Sequence, residues 1–296
     1  MVLKPSEMAP SAALLLAEVF VEAGLPPGVC NVVVGTGPQV GAALAAHPGV
    51  DMVSSTGSTA AGRLVGRAAA DTVKWVALEL GGKSASVLLP DADPPKAVKA
   101  TVDNAFLSSG QTAPPGPACW STATSTTRWP RWPASSPRGW RAGWARSRRR
   151  HSGTACRATC RPPRRGWSPA VQDASTATTV GTSAARPSTP TCPPTPRSRR
   201  TEIFGPVLSV IPYTDEDDAV AIANGTPYGL AGAVWSADRE AAVAFVRRMR
   251  TGQVDINCAR FNPIAPFGGY GQSGNGRELG PYGLDEYNEI KSIQLA

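Results

Sequence analysis

Residues 78–84 read Leu78-Glu79-Leu80-Gly81-Gly82-Lys83-Ser84. An apolar run beginning near Lys74 ends here on an acid set between leucines and followed by two glycines. That is the pattern of a buried strand that stops where the backbone must leave space. Alone, Glu79 is compatible with a strand carboxylate held in a local hydrogen bond. Beside Gly81 and Gly82 the same carboxylate sits where water or a substrate can come close to the backbone. Further on, Phe106-Leu107-Ser108-Ser109-Gly110-Gln111-Thr112 leads up to Ala113.

Outward from this stretch the chain alternates strands and helices. A helix is predicted over residues 10–24, opened by Pro10 and Ser11, with Leu14, Leu15, Val19 and Phe20 on its apolar face and Gly24 as its stop. A buried strand is predicted at 29–34, closed by Gly35-Thr36-Gly37. A short helix over 40–46, a strand at 52–54, a helix opened by Ser58 and Thr59, strands at 74–80 and 85–89, and a helix over 95–106 follow. Beyond residue 200 come strands at 207–213, 232–236 and 253–257, helices at 216–224 and 239–250, and a final extended segment at 289–295. Such alternation implies an α/β fold on a mostly parallel, doubly wound sheet.

The charge is not spread evenly. The net charge is +8 over 296 residues, but residues 113–200 hold sixteen Arg, no Lys and one acid, Asp173, while the remainder is net negative. The apolar content of 42% is that of a globular chain. No apolar run approaches the ~20 residues of a membrane span, and the first residues lack the pattern of a signal peptide. A cytoplasmic protein is the expectation. Six cysteines, unevenly placed, do not form a disulfide scaffold, and Cys30 and Cys258 read as inert core thiols.

Residues 113–200 contain no Leu, Ile, Met, Phe, Tyr, Lys, Glu or Asn, but fourteen Pro, six Trp and four Cys. That many prolines exclude regular helix or central strand, and two valines with scattered Trp do not build a core. One reading is a disordered basic linker. A second is an Arg/Trp nucleic-acid module, with guanidinium on phosphate and indole on bases, but no folded recognition pattern accompanies it. A third is a reading-frame slip: in a GC-rich gene a shifted frame yields Arg, Pro, Ala, Ser, Thr, Gly, Trp and Cys, the vocabulary seen here. The slip is the favoured reading. His151, Cys156, Cys160 and Cys192 offer zinc-type ligands at loose spacing, and no metal is expected.

Taken together, 78–84 and 106–112 resemble the two signature segments of the aldehyde dehydrogenase family. The resemblance implies Glu79 as the base that activates the hydrolytic water and a cysteine at position 113 as the nucleophile. That thiolate would form a hemithioacetal, give up a hydride to NAD and be released by hydrolysis. Ala113 has no group that can do this.

The cofactor side of the resemblance is fuller. Leu3-Lys4-Pro5-Ser6-Glu7 resembles the family segment that holds the adenine ribose, and an acid at Glu7 favours NAD over NADP. Gly35 and Gly37, with Gly41, form a weak glycine motif that is also compatible with a simple tight turn. Gly57 and Ser58, at a predicted helix start, correspond to the pyrophosphate contact. Glu202-Ile203-Phe204-Gly205-Pro206 resembles the segment that places the nicotinamide ribose on Glu202 and the ring against Phe204; Phe204 is equally compatible with a buried turn anchor. Asn257 falls where the family lines its substrate tunnel, and 267–278 completes the C-terminal pattern, with Gly271 where Lys is common.

The resemblance covers 1–112 and 201–296. It implies a partial NAD-binding domain over 1–80, the start of a catalytic domain over 81–112, and an aberrant, disordered stretch over 113–200. The rest of the catalytic domain would occupy 201–270, with a C-terminal segment over 271–296 that would carry an oligomerisation strand in a dimer or tetramer. The family's earlier segment, with its oxyanion-stabilising asparagine, has no counterpart here. A truncated chain with uncovered strand edges and apolar surface is therefore expected. The implied substrate of the intact relative is an aldehyde; a membrane or nucleic-acid partner is not expected.

Overall fold

The computed structural model describes residues 1–112, 179–181, 200–205, 207–211 and 213–295. The chain divides into two compact units, Met1–Glu79 and Leu80–Ala296.

In the first unit, β1 (Val2–Leu3) pairs in parallel with β2 (Asn31–Val32). β3 (Met52–Thr56) pairs in parallel with β4 (Trp75–Glu79), in a register running from Met52 against Trp75 to Thr56 against Glu79. Between β1 and β2 lies α1 (Ser11–Glu22), which ends at Ala23 and is followed by Gly24 at φ +80°. The predicted helix after Gly37 begins as a five-residue π turn, Gly37–Gly41, before α2 (Ala42–Ala46). The helix α3 (Thr59–Ala70) starts where the Ser58 side chain accepts from the Ala61 amide. This N-cap satisfies a donor that the first helical turn leaves without a partner.

One expectation for this unit is corrected. The strand at 29–34 is not buried: it shortens to two residues, and Val29 and Val34 lie about half in solvent. β2 has one ladder partner among the described residues, the equally short β1, so its flanks gain no cover. The apolar face predicted for α1 exists as a stripe, but the helix has no buried residue, and Leu14, Leu15, Leu16, Val19 and Val21 are exposed.

The second unit carries the main core. β5 (Ala85–Leu88), β8 (Ala231–Trp235) and β9 (Gln253–Ile256) form a parallel sheet in the order β5-β8-β9. Every residue of β5 and β8 is buried, as a parallel sheet covered on both faces requires. Ala85, Val87 and Leu89 point one way, into a cluster with Val234, Ala219 of α5 (Glu216–Asn224), and Ala242 and Phe245 of α6 (Arg239–Val246). Leu88 points the other way, onto Trp235 and Ala97 of α4 (Pro94–Ala105). On that face Ser86 Oγ lies 2.9 Å from Thr101 Oγ1 and accepts from Trp235 Nε1 at 3.1 Å, so the buried polar groups satisfy one another. Burial of Phe245 alone stabilises by about 2–3 kcal/mol. The unit also contains β6 (Thr179–Gly181) paired in parallel with β7 (Val207–Ser209), and a short α7 (Gly280–Asp285).

The helix predicted over 239–250 ends at Val246, and the strand predicted over 207–213 ends at Ser209. No regular structure was expected within 113–200, yet β6 forms there, in the proline-free run between Pro169 and Pro187. The rest of that expectation lies outside the described residues, as do Ala113, His151, Cys156, Cys160 and Cys192. Cys258 is not a free thiol but disulfide-bonded, whereas Cys30 is free and partly exposed. Residues 289–295 form no regular strand, and Ile290, Ile293 and Leu295 are largely exposed.

Candidate functional site

Within the first unit the predicted cofactor residues gather around two turns. Lys4 follows β1, and its Nζ donates to Gly35 O at 3.0 Å and to Pro5 O at 2.6 Å while lying 3.6 Å from Glu7 Oε2. Its own backbone amide holds the Glu7 carboxyl below the usual carboxylate range, and the Lys4 charge and the Gly37 amide add to the effect. Lys4, Glu7, Gly35 and Gly37 are thus one polar cluster. Gly35 is there for steric reasons: its φ is +156°, and a methyl group on it would stand 2.4 Å from Val40 Cγ2. At Gly37 the same position is open, with no atom within 4 Å.

The second turn joins β3 to α3. The Gly57 amide donates to Glu79 O at 2.9 Å, which ties the turn to the end of β4. Ser58 Oγ accepts from Ala61 N at 3.2 Å. The first turn of α3 holds no acidic residue, so the positive end of the helix dipole is not neutralised by its own side chains. Glu79, the last residue of β4, is buried at 7% exposure.

Within the second unit, two segments 120 residues apart meet. Glu202 Oε1 accepts from Gly82 N at 3.2 Å. A methyl group on Gly81 would lie 2.2 Å from Glu202 Oε2, so the carboxylate occupies the space that the glycine leaves. Lys83, buried at 8% exposure, adds its charge beside Glu202. Burial pushes the lysine down to about 8, against the pull of the Glu202 charge. Burial also pushes Glu202 up, against the Gly82 hydrogen bond and the Lys83 charge. Both shifts point the same way: desolvation outweighs the mutual attraction of the pair.

Phe204 is not a buried anchor. It is half exposed at 50%, and its φ of +53° is a conformation that a bulky residue rarely adopts. The structure therefore holds an aromatic face in solvent at some conformational cost. The run-up to position 113 forms a 3-10 turn, Leu107–Gly110, with Ser108 at φ +48° and Gly110 at φ +68°.

Sequence reasoning missed two residues here. Lys83 was read only as part of a motif, whereas it is a buried cation whose charge acts on Glu202. Ser273 was one letter of the C-terminal pattern; it is fully buried and hydrogen-bonded to Gly81 and Gly229. Conversely, the Asn257 side-chain amide clamps the backbone of Ser236, accepting from its N at 3.1 Å and donating to its O at 2.7 Å. With φ +53°, Asn257 closes the end of β9. Among the described residues no group of three or more metal-type ligands occurs, and no helix is long and apolar enough to cross a membrane.

Comparison with known proteins bears on the same segments. The model of the aldehyde dehydrogenase family matches residues 1–117 and 186–293. The chain is 44% identical to a 3-succinoylsemialdehyde-pyridine dehydrogenase of a Pseudomonas species, over 99% of this chain and 64% of that protein. It is 39% identical to a geranial dehydrogenase of Castellaniella defragrans, over 99% of this chain and 63% of that one. Among solved structures, a Mycobacterium tuberculosis aldehyde dehydrogenase complexed with NAD+ superposes with a TM-score of 0.81 at 34% identity, covering 100% of this chain and 63% of that one. An aldehyde dehydrogenase C mutant of Pseudomonas syringae, complexed with NAD+ and octanal, gives a TM-score of 0.79 at 40% identity, covering 99% and 62%. The chain thus spans a little under two thirds of the relatives it matches. With the glutamate segment, the Glu202 segment and the C-terminal glycine pattern all inside the matched ranges, the chain belongs to the aldehyde dehydrogenase family.

Proposed function

We propose that this chain carries the cofactor-binding and general-base parts of an NAD-dependent aldehyde dehydrogenase, an oxidoreductase that converts an aldehyde to a carboxylic acid. We further propose that the chain as written does not turn over. The observation that carries the first part is the hydrogen bond from Gly82 N to Glu202 Oε1 beside the space left by Gly81. It joins the two segments whose family roles are the base and the nicotinamide ribose contact. Two relatives of similar fold are complexed with NAD+.

NAD, when bound, accepts the hydride that leaves the aldehyde carbon. This chain's residues would bind and orient it. Glu7 and Lys4 would take the adenine ribose hydroxyls, Gly35 and Gly37 would leave room beside them, and Gly57 and Ser58 would face the pyrophosphate. Glu202 would accept from the hydroxyls of the second ribose, and Phe204 would lie against the nicotinamide ring. Glu79 would take a proton from the water that hydrolyses the acyl group. Forming that acyl group requires a thiolate to attack the aldehyde carbon, and the methyl group of Ala113 has no lone pair to do so.

The frame-slip reading of 113–200 belongs to the same proposal. It rests on the composition of that stretch and on the family match, which stops at 117 and resumes at 186. A non-catalytic remnant that binds NAD weakly is the second reading, favoured by Ala113. A cytoplasmic homo-oligomer, with the exposed Ile290, Ile293 and Leu295 at a subunit contact, completes the proposal.

Titrating NAD into the purified chain, then adding aldehydes and following NADH absorbance, tests this directly. Saturable NAD binding without NADH formation is expected. NADH formation that Glu79→Ala abolishes would overturn the inactivity, and an absence of NAD binding would overturn the cofactor reading. Resequencing the gene across codons 113–200 decides between a slip and a relic.

A further inference from the structure

We propose that Ser273 is the positioning residue for Glu202, acting through the single peptide unit that joins Gly81 to Gly82. The proposal rests on the cofactor reading of Glu202 given above, and every residue in it lies in the second unit.

Ser273 Oγ donates to Gly81 O at 2.6 Å and accepts from Gly229 N at 3.0 Å. The Ser273 carbonyl accepts from Leu80 N at 2.9 Å. One fully buried residue therefore grips the chain on both sides of Gly81. Gly81 O and Gly82 N belong to the same planar amide, so fixing the carbonyl fixes the direction of the opposite N–H. That N–H is the one that Glu202 Oε1 accepts at 3.2 Å. The path runs from the serine hydroxyl to the Gly81 carbonyl, across the amide to the Gly82 N–H, and on to the Glu202 carboxylate. Hydrogen bonds in such a chain polarise one another, which strengthens the last of them.

A peptide between two glycines needs such a grip, since it has no Cβ on either side to resist rotation. The position also demands a small residue: a methyl group on Gly269 would stand 2.4 Å from Ser273 Cβ, so the serine is packed against a glycine that cannot yield. Alanine would fit there but could neither donate nor accept, and the Gly229 amide and the Gly81 carbonyl would both lose their partner.

The test uses the full chain and two probes, NAD and ADP, the second lacking the nicotinamide ribose. In calorimetric titrations Ser273→Ala is expected to weaken NAD roughly tenfold, as loss of one hydrogen bond to a charged group does, and to leave ADP unchanged. Ser273→Cys, which keeps the size and a weak donor, is expected to fall between, and it carries the comparison if the alanine variant does not fold. In a Glu202→Ala background the serine substitution is expected to have no further effect on NAD. Equal losses for NAD and ADP, or a full loss that persists without Glu202, would overturn the proposal in favour of a purely structural role. Amide exchange reads the relay without any ligand. Gly82 is expected to exchange faster in Ser273→Ala while the β8 amides keep their protection, and unchanged exchange at Gly82 would overturn the proposal. If the parent chain binds neither probe, the cofactor reading fails, and the exchange result alone decides the relay.

Discussion

The Gly82 amide and the Glu202 carboxylate, 120 residues apart, are hydrogen-bonded at 3.2 Å, and Gly81 provides the space in which that carboxylate lies. The contact makes a distinction between two kinds of essential glycine. A methyl group on Gly81 meets only the far end of a side chain that can swing away, so Gly81→Ala is expected to cost less than about 1 kcal/mol of stability while displacing Glu202. A methyl group on Gly252 would stand 1.6 Å from the Gly268 carbonyl oxygen, which is backbone. Gly252→Ala is therefore expected to cost about 2–4 kcal/mol. Urea denaturation of both variants, with NAD titration of the first, measures the contrast. A Gly81→Ala chain that binds NAD as the parent does would remove Glu202 from the site.

Much of this was legible in the sequence because it is local. The strand predicted over 74–80, found as Trp75–Glu79, the Ser58 cap and the helix Glu216–Asn224 all follow from short-range patterns. What was not legible depends on long-range packing. Valines at 29–34 read as buried, but burial requires a neighbour on both edges, and among the described residues β2 has only the two-residue β1. The family resemblance sets Asn257 beside a substrate tunnel, and only the fold shows that both ends of its amide also hold the backbone of Ser236. Ser273 carries no local signal at all; its role exists because Gly269, Gly229 and Gly81 converge on it.

Ser58 separates capping from ligand binding. Its hydroxyl accepts from Ala61 N at 3.2 Å, so Ser58→Ala is expected to lose about 1 kcal/mol of stability. Aspartate caps as well as serine, and Ser58→Asp should restore that stability. A carboxylate at the same point would repel a pyrophosphate, and NAD affinity should fall more in Ser58→Asp than in Ser58→Ala. The opposite ranking in a titration would show that the α3 start does not face the phosphates.

On the proposed function, Glu7 sets the choice between NAD and NADP. Its carboxylate is exposed and held below the usual carboxylate range by its own amide, by Lys4 and by Gly37, and at the proposed adenine-ribose contact it would repel a 2′-phosphate. Glu7→Gln removes the repulsion and one ribose acceptor together. NADP is expected to gain on NAD by roughly tenfold, the size of one modest charge interaction. A preference that does not move would place the adenine ribose elsewhere.

Lys83 gives the fold a pH dependence whose sign follows from its burial. Its folded pKa of about 8 lies below the ordinary lysine value of 10.5, so the fold binds that proton less readily than the unfolded chain does. The lysine therefore costs stability wherever it is charged in both states, below about 8, and the cost disappears as pH rises to about 10.5. A fall from 10.5 to about 8 corresponds to a cost on the order of 3 kcal/mol. Glu202 behaves in the mirror sense: its raised pKa costs nothing while it is protonated at low pH and costs most above its folded value. Lys83→Met removes the buried charge but also withdraws the attraction that Glu202 feels, which trims the gain. The variant is expected to be more stable than the parent at pH 7 by roughly 1–3 kcal/mol, with the gap closing between pH 8 and 10.5. Urea midpoints of the two chains measured across that range decide it. A gap that stays constant with pH would mean that Lys83 keeps its ordinary affinity for the proton and reaches water in the folded chain.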